Sequence, residues 1–247
     1  MHSFLLIGQS NMAGRGFLDE AIPVDTGRIY VLRNGRWQKM FRPINPDRSR
    51  SGSNLAEHFA ECYAKTHDVD FGLICCADGG TSMDQWMPGS LLYDHAVMNA
   101  SLAQRTSTIA GILWHQGESD CTSARYPHYK EKLICMLRQL RRDLNLPHVP
   151  ILLGGLGDFL GDVPSPELEL HNAPFVNDAL RAAASEMEDT AFVPATGLGS
   201  NPDLLHFSAQ ALYTFGQRYF DTYEAMAKMP LASAPERDIA RTEIEEL

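Results

Sequence analysis

The most restrictive feature of this sequence is the alternation of short apolar runs with amphipathic stretches of helical period. The apolar runs are Ser3–Gly8, Phe71–Cys76, Ile109–His115, Ile151–Gly155 and Thr190–Pro194. Most are continuously apolar, which is typical of strands covered on both faces. Helices are predicted between them, near Asn54–Thr66, Leu91–Arg105, Arg125–Asp143, Ala173–Glu188 and Ser208–Met226. This alternation predicts an α/β fold in which helices cover both faces of a mostly parallel, five-stranded sheet.

Residues 17–53 interrupt this rhythm. The segment contains three prolines and several arginines, and an Asn-Gly pair within Val31–Trp37 predicts a hairpin turn. We interpret the segment as an elaborated excursion after the first strand. Because no repeat, linker or low-complexity tract divides the chain, one domain is expected over residues 1–228. The remaining residues, 229–247, are expected to form a charged tail.

The formal net charge of −10 over 247 residues argues against a nucleic-acid partner, because a phosphate backbone requires a basic surface. The first apolar run is too short for a signal sequence or a membrane span. If Met1 is the true start, the protein is expected to be cytoplasmic and to have no membrane partner. The sequence does not predict its oligomeric state. No cofactor is predicted. The pair His115 and Glu118 lacks a third ligand at fixed spacing, so no metal site is predicted either.

Two motifs offer the parts of an acyl-transfer site. In Gly8-Gln9-Ser10-Asn11, a serine follows the first strand, and its backbone N–H could donate to an oxyanion. Taken alone, this serine is more typical of a helix N-cap. In Asp203-Leu204-Leu205-His206, a turn would let Asp203 orient His206 as a general base. A helix-capping aspartate beside a surface histidine is the alternative interpretation.

Two further motifs follow predicted strands. The run Trp114–Asp120 ends a buried strand in polar residues, among which the Gln116 amide could donate to an oxyanion. Glu118 or Asp120 could anchor this loop or assist the histidine. The run Ala77–Trp86 contains Gly79 and Gly80, where the backbone can approach a ligand closely. Trp86 could form one wall of a sugar pocket; a plain tight turn is the alternative.

Together these four motifs resemble the SGNH hydrolase superfamily. Within it they are similar to the sialate O-acetylesterase-like branch, which includes the acetylxylan esterases of carbohydrate esterase family 6. The motifs lie in the family's order from residue 8 to residue 206. The resemblance implies a flavodoxin-like, three-layer α/β/α fold and a deacetylation that needs no metal.

The resemblance also implies roles for individual residues. Ser10 would be the nucleophile, His206 the base and Asp203 its partner, with Glu118 as a second carboxylate near the histidine. The backbone of Ser10 and Gly80 and the amide of Gln116 would form the oxyanion hole, although Gly79 is an alternative to Gly80. Candidate substrate-binding or supporting residues are Gln9, Asn11, Gly79, Trp86 and Glu118.

The function expected from this resemblance is removal of O-acetyl groups from a carbohydrate through an acetyl-enzyme intermediate. The carbohydrate would be acetylated xylan or an O-acetylated sugar similar to sialic acid, as a polymer or a small molecule. Two alternatives stay open at this point: a lipid or thioester hydrolase on the same fold, and a glycan-binding module without catalysis. The arginines of the first long loop, Arg15, Arg42, Arg48 and Arg50, are either solvated loop charges or contacts for a sugar carboxylate.

Overall fold

The computed structural model describes residues 1–226, and its centre is a seven-stranded sheet. The strands are β1 (His2–Gly8), β2 (Ile29–Arg33), β3 (Arg36–Lys39), β4 (Phe71–Cys75), β5 (Thr108–His115), β6 (Ile151–Gly154) and β7 (Thr190–Val193). The helices are α1 (Ser10–Ala13), α2 (Leu55–His67), α3 (Leu91–Ala103), α4 (Tyr129–Asp143), α5 (Ala173–Glu186) and α6 (Ala209–Met226). The tail predicted at 229–247 lies outside the described residues.

The strand order across the sheet is β3-β2-β4-β1-β5-β6-β7. All neighbouring pairs are parallel except the hairpin of β2 and β3. The five strands predicted from the apolar runs are therefore β4-β1-β5-β6-β7, which is the flavodoxin-like order. The chain reverses its direction of winding between β1 and β5, and ligands bind at such a switch point in open α/β sheets.

The prediction of five strands was wrong, because the sheet contains seven. The hairpin that we interpreted as part of an excursion pairs with the sheet edge instead: β2 lies parallel to β4, with Ile29 opposite Phe71. Its turn at Asn34 and Gly35 has positive φ at both residues, as the tight hairpin turn requires. The β4 edge thereby gains backbone hydrogen-bond partners, which an uncovered edge strand would lack.

The sheet separates two apolar cores, because successive side chains of a strand point to opposite faces. In β1, Leu5 and Ile7 contact the core under α3, α4 and α5, whereas Phe4 and Leu6 contact the core under α2 and α6. Helix α4 illustrates the helical period: its buried positions recur at spacings of three and four, at Tyr129, Leu133, Met136, Leu137 and Leu140. The predicted three-layer α/β/α arrangement is confirmed.

Strand β1 ends at a close approach to its neighbour β5. At Gly8, where φ is +137°, a Cβ atom would lie 2.0 Å from the carbonyl oxygen of His115, so only glycine fits. The next residue, Gln9, donates its backbone N–H to that same oxygen at 2.9 Å. The ends of β1 and β5 are therefore tied together directly below the residues that follow them. Within residues 1–226, no helix is both long and apolar enough to cross a bilayer.

Candidate active site

Ser10 begins the short helix α1, immediately after β1. It is 7% exposed, and its backbone N–H has no protein acceptor within residues 1–226, as expected for the first turn of a helix. The side-chain oxygen lies 3.0 Å from Nε2 of His206. The sequence motif therefore positions a buried hydroxyl beside an imidazole, and not a side chain that caps its own helix.

His206 lies on a loop that folds back on itself before α6. An isolated bridge joins Ser200 to Phe207, and the backbone N–H of Asn201 donates to the His206 carbonyl at 2.7 Å. The loop contains a left-handed turn at Leu204, where φ is +53°. This reversal brings the imidazole back toward Ser10, across 196 positions of sequence.

Asp203 contacts both the side chain and the backbone of the histidine segment. Its Oδ2 accepts a hydrogen bond from Nδ1 of His206 at 2.7 Å, and its Oδ1 accepts from the N–H groups of Leu205 and His206, both at 3.0 Å. A carboxylate only accepts, so Nδ1 of the imidazole carries the proton and Nε2 is the acceptor that faces Ser10. Partial burial acts to raise the pKa of Asp203, but these hydrogen bonds outweigh it and lower that pKa.

Asn11 connects the serine turn to both sides of His206. Its Nδ2 donates to the carbonyl of Leu205 at 3.2 Å, and its Oδ1 accepts from the N–H of Phe207 at 3.0 Å. The same Nδ2 donates to Oε1 of Glu118 at 2.5 Å. Glu118 is 4% exposed, and through this bond to Asn11 it supports the histidine loop. Asp203 is the carboxylate that contacts His206 directly.

Gln116 does not extend into the space above Ser10. Its side chain is completely buried, and its Nε2 donates to the Thr81 carbonyl at 2.9 Å and to Oδ2 of Asp120 at 2.5 Å. The same nitrogen lies 3.2 Å from Oε1 of Gln9. Both hydrogens of the Gln116 amide are therefore engaged by protein oxygens, in contrast to the expectation that this amide faces an oxyanion.

Gln9 takes the position at the cleft that we expected for Gln116. Its Oε1 accepts from the backbone N–H of Ser119 at 3.3 Å as well as from Gln116. Because the oxygen is held by two donors, the NH2 group of Gln9 is directed elsewhere, and Gln9 lines the cleft beside Ser10. No acceptor within residues 1–226 bonds this NH2 group.

The two glycines after β4 differ in what their backbone N–H groups contact. The N–H of Gly79 donates to Oδ2 of Asp47 at 2.8 Å, and a Cβ there would lie 2.5 Å from Arg15. Gly80 has φ of +77°, and its N–H has no protein acceptor within residues 1–226. Of the two, Gly80 is the one whose N–H remains able to bind a ligand.

Trp86 is 1% exposed and does not line the cleft. Its Nε1 donates to Oγ1 of Thr81 at 3.0 Å, and its ring packs edge-to-face on Trp114 with centroids 5.7 Å apart. The expectation that Trp86 forms a wall of a sugar pocket is therefore not met by its position. It supports the glycine loop from inside the core.

A cleft of about 330 Å3 lies above Ser10, and we call it the catalytic cleft. The cleft is lined by the candidate residues Gln9, Ser10, Gly79, Gly80, Glu118 and His206, together with Ser119, Arg15, Arg48, Arg50, Leu168, Leu170 and Leu205. No group of three or more His, Cys, Asp or Glu side chains in residues 1–226 is arranged to hold a metal ion.

The arginines of the catalytic cleft differ in their partners. Arg15 is bidentate to Asp47, and both side chains are 4% exposed. Burial acts to raise the pKa of Asp47, but the hydrogen bonds from Arg15 and its neighbours outweigh it and lower that pKa. Arg48 pairs with Asp78 at 2.5 Å, whereas Arg50 has no ion pair within residues 1–226. Sequence reasoning missed Asp47, because nothing in its proline-containing loop distinguishes it from a solvated charge.

The chain is similar to known carbohydrate esterases. A family model described as carbohydrate esterase, sialic acid-specific acetylesterase, matches residues 1–225. A protein of Arabidopsis thaliana described as a probable carbohydrate esterase is 28% identical over an alignment 246 positions long, and the alignment covers 89% of each chain.

Two solved structures share the fold. The first is of a protein from Arabidopsis thaliana, with a TM-score of 0.81 at 26% identity over 91% of this chain and 98% of that one. The second is of a carbohydrate acetylesterase from Xanthomonas citri, with a TM-score of 0.68 at 17% identity over 91% of this chain and 56% of that one. The predicted resemblance and the assignment to the carboxylic ester hydrolases are confirmed. The chain belongs to the sialic acid-specific acetylesterase family of carbohydrate esterases.

Proposed function

We propose that the protein is a serine esterase that removes O-acetyl groups from a carbohydrate, with Ser10 as the nucleophile. The observation that carries the proposal is the continuous hydrogen-bonded chain from Ser10 Oγ to His206 at 3.0 Å and from His206 to Asp203 at 2.7 Å. This geometry lets the imidazole accept the serine proton while the carboxylate stabilises the positive charge that develops on the ring.

The reaction proceeds in two halves. As Ser10 Oγ attacks the acetyl carbonyl carbon, Nε2 of His206 takes the hydroxyl proton and the carbonyl oxygen becomes an oxyanion. The bond to the sugar oxygen then breaks, and His206 returns its proton to that oxygen, which leaves acetyl-Ser10. Water attacks the acetyl-enzyme with His206 again as the base, and acetate leaves as the serine hydroxyl is restored.

Three N–H donors are available for the oxyanion. Two are backbone groups, from Ser10 and Gly80, and the third in our proposal is the side-chain NH2 of Gln9. Gln116 then acts through Gln9, because its amide helps to hold the Gln9 oxygen away from the substrate. The buried bonds from Gln116 to Thr81 and Asp120 support this positioning role. Fixed donors of this kind stabilise the transition state without reorganising during the reaction.

Substitution Gln9→Met tests this assignment, because it keeps the approximate size of the side chain and removes the donor. We expect kcat on p-nitrophenyl acetate to fall about 10²-fold, with a smaller change in KM, since the lost hydrogen bond forms mainly in the transition state. Gln210→Met, at an exposed position of α6, is the matched control. A Gln9 variant that keeps kcat within about threefold of the parent protein would rule out this donor.

The charges of the catalytic cleft support a sugar that carries a carboxylate, as an O-acetylated sialic acid does. Arg15 and Arg48 are paired with aspartates, so Arg50 is the cleft arginine without an ion pair in the described part of the chain. A guanidinium recognises a carboxylate through paired hydrogen bonds. Acetylated xylan, which is neutral, would leave this charge without a partner.

Acetate release from O-acetylated sialic acid and from acetylated xylo-oligosaccharide measures this preference. We expect both acetyl esters to be hydrolysed faster than p-nitrophenyl decanoate, and the acidic sugar to be preferred. Arg50→Gln should lower kcat/KM on the acidic sugar about fivefold to tenfold relative to the neutral one, since exposed ion pairs contribute roughly 1 kcal/mol. Arg105→Gln, at an exposed position beyond the carboxyl end of α3, is the control.

Each other outcome has a distinct meaning. An equal loss on both sugars, or no loss, would contradict recognition of a carboxylate by Arg50. Faster hydrolysis of the decanoyl ester would favour a lipid hydrolase, in which Leu168, Leu170 and Leu205 would contact the acyl chain. Sugar binding without any acetate release would favour a glycan-binding module.

A further inference from the structure

A second chamber adjoins the catalytic cleft at His206. It has a volume of about 280 Å3 and shares Arg15, Arg50 and His206 with the cleft. Its own walls are formed by residues 16–19, residues 51–52, Asn201 and Asp203. The three shared lining residues place the two spaces next to each other.

Two apolar side chains are exposed next to each other at this chamber. Phe17 is 45% exposed and Leu18 is 48% exposed, and they come directly after the residues that form the buried base of the loop. Together they form a small exposed apolar surface beside the cleft, and exposed apolar surface with a polar rim can mark a ligand-binding site. An aromatic ring in such a position can pack against the apolar face of a sugar ring, while the hydroxyl groups of the sugar remain available for hydrogen bonds.

The backbone under Phe17 is held on several sides. Gly16 and Ser53 exchange hydrogen bonds in both directions, at 3.4 Å and 2.8 Å, and a Cβ at Gly16 would lie 2.3 Å from Ser53 Oγ. The Phe17 carbonyl accepts from the N–H of Glu20 at 3.2 Å, which closes a turn. The backbone that carries the ring is therefore held in place before a ligand arrives, which lowers the entropic cost of binding.

Polar groups suited to sugar hydroxyls lie in the same chamber. Asn201 is 5% exposed, and its Nδ2 donates to the Arg15 carbonyl at 2.9 Å. The Oδ1 atom of Asn201 has no donor within residues 1–226, which is unusual for a buried carboxamide oxygen. Arg50 adds a guanidinium without an ion pair in the same part of the chain. A sugar hydroxyl can donate to Oδ1 of Asn201 and accept from the guanidinium of Arg50.

We infer that the second chamber binds a second sugar residue, joined by a glycosidic bond to the acetylated sugar in the catalytic cleft. The ring of this second sugar packs on Phe17, and its hydroxyl groups bond Asn201 and Arg50. The inference rests on the proposed function, since it extends the substrate of the same site. It assigns the protein to acetylated glycans of two or more residues in preference to free acetylated monosaccharides.

Matched pairs of substrates test this inference. One pair is O-acetylated sialic acid, free and within sialyllactose, and the other is acetylated xylose and acetylated xylotriose. We expect the protein to hydrolyse the longer member of a pair with the higher kcat/KM. Phe17→Ala should lower kcat/KM about tenfold more on the longer member than on the shorter one, and Phe17→Tyr, which keeps the ring, should restore the preference.

Phe175→Ala is the control, because Phe175 is a 53% exposed phenylalanine that lines neither space, and it should leave the ratio within each pair unchanged. Equal kcat/KM for both members in the parent protein would overturn the second subsite. So would an equal loss on both in Phe17→Ala. If the parent protein releases acetate from no member of either pair, the proposed function itself fails, and this inference fails with it.

Discussion

Replacement of Ser10 by alanine is expected to lower kcat on p-nitrophenyl acetate by at least about 10³-fold. The substitution removes the proposed attacking oxygen, and the proposed oxyanion donors that remain, the backbone N–H groups at positions 10 and 80 and the Gln9 NH2 group, can stabilise only a reaction with water. KM should change little, because the hydroxyl contributes to bond formation more than to substrate binding.

Ser119→Ala is the matched control for this experiment, because Ser119 lines the same cleft and its hydroxyl contacts neither His206 nor Asp203. A fluorophosphonate should label the parent protein and Ser119→Ala at residue 10, and should not label Ser10→Ala. A folded Ser10→Ala protein, verified by its thermal unfolding, that keeps activity within about tenfold of the parent would contradict the assignment of the nucleophile.

Replacement of Asp203 by asparagine is expected to lower kcat by about 10² to 10⁴-fold. An asparagine can donate to Nδ1 of His206, which would favour the tautomer with the proton on Nε2, and that tautomer cannot accept the serine proton. The neutral amide would also fail to stabilise the imidazolium. Because 48% of the Asp203 side chain is exposed, water can partly solvate the imidazolium in place of the lost carboxylate. The effect should therefore be smaller than that of Ser10→Ala.

The comparison with Glu118→Gln identifies which carboxylate supports the histidine. Glu118 contacts Asn11 and not His206, so its amide variant should lose activity far less than Asp203→Asn. An equal or larger loss in Glu118→Gln would contradict the assignment of Asp203.

The pH at which Asp203 gains a proton is shifted in a direction that follows from its contacts. Its pKa is lowered in the folded protein, so the carboxylate stays charged through the range in which an ordinary aspartate gains a proton. The support it gives to His206 should be lost only as the pH falls through that lowered pKa. A carboxyl-carbon NMR titration measures this ionisation directly, and a midpoint at the ordinary pKa of an aspartate would contradict the expectation.

The layered fold could be predicted because its signal is local. Continuous apolar runs separated by helical periods indicate a parallel sheet covered on both faces, and β1, β4, β5, β6 and β7 each begin within two residues of the predicted position. The hairpin of β2 and β3 was recognisable from its turn, but its pairing with β4 depends on an edge that the sequence does not mark.

The site could be predicted only in part, because several of its contacts form between segments that are distant in the sequence. Ser10, Asp203 and His206 lie together as the motifs suggested, and their roles stay predictions. The direction of the Gln116 amide depends on the Thr81 carbonyl and on Asp120, which reach it only through the folded loops. The sequence position of Trp86 is compatible either with the wall of a sugar pocket or with the core. In the structure its ring packs on Trp114 inside the core.

The hydrogen bonds between Asn11 and the backbone on both sides of His206 have a consequence for when, during synthesis, the proposed site is complete. Ser10, the proposed nucleophile, is made within the first ten residues of the chain. His206, its proposed base, lies 196 positions later, and Asn11 next to Ser10 bonds the backbone on both sides of it. During synthesis, β1 and β4 can pair long before residue 206 leaves the ribosome. Under the proposed roles, a nascent or truncated chain carries its serine without a base, and the hydroxyl stays unactivated until the final loop docks.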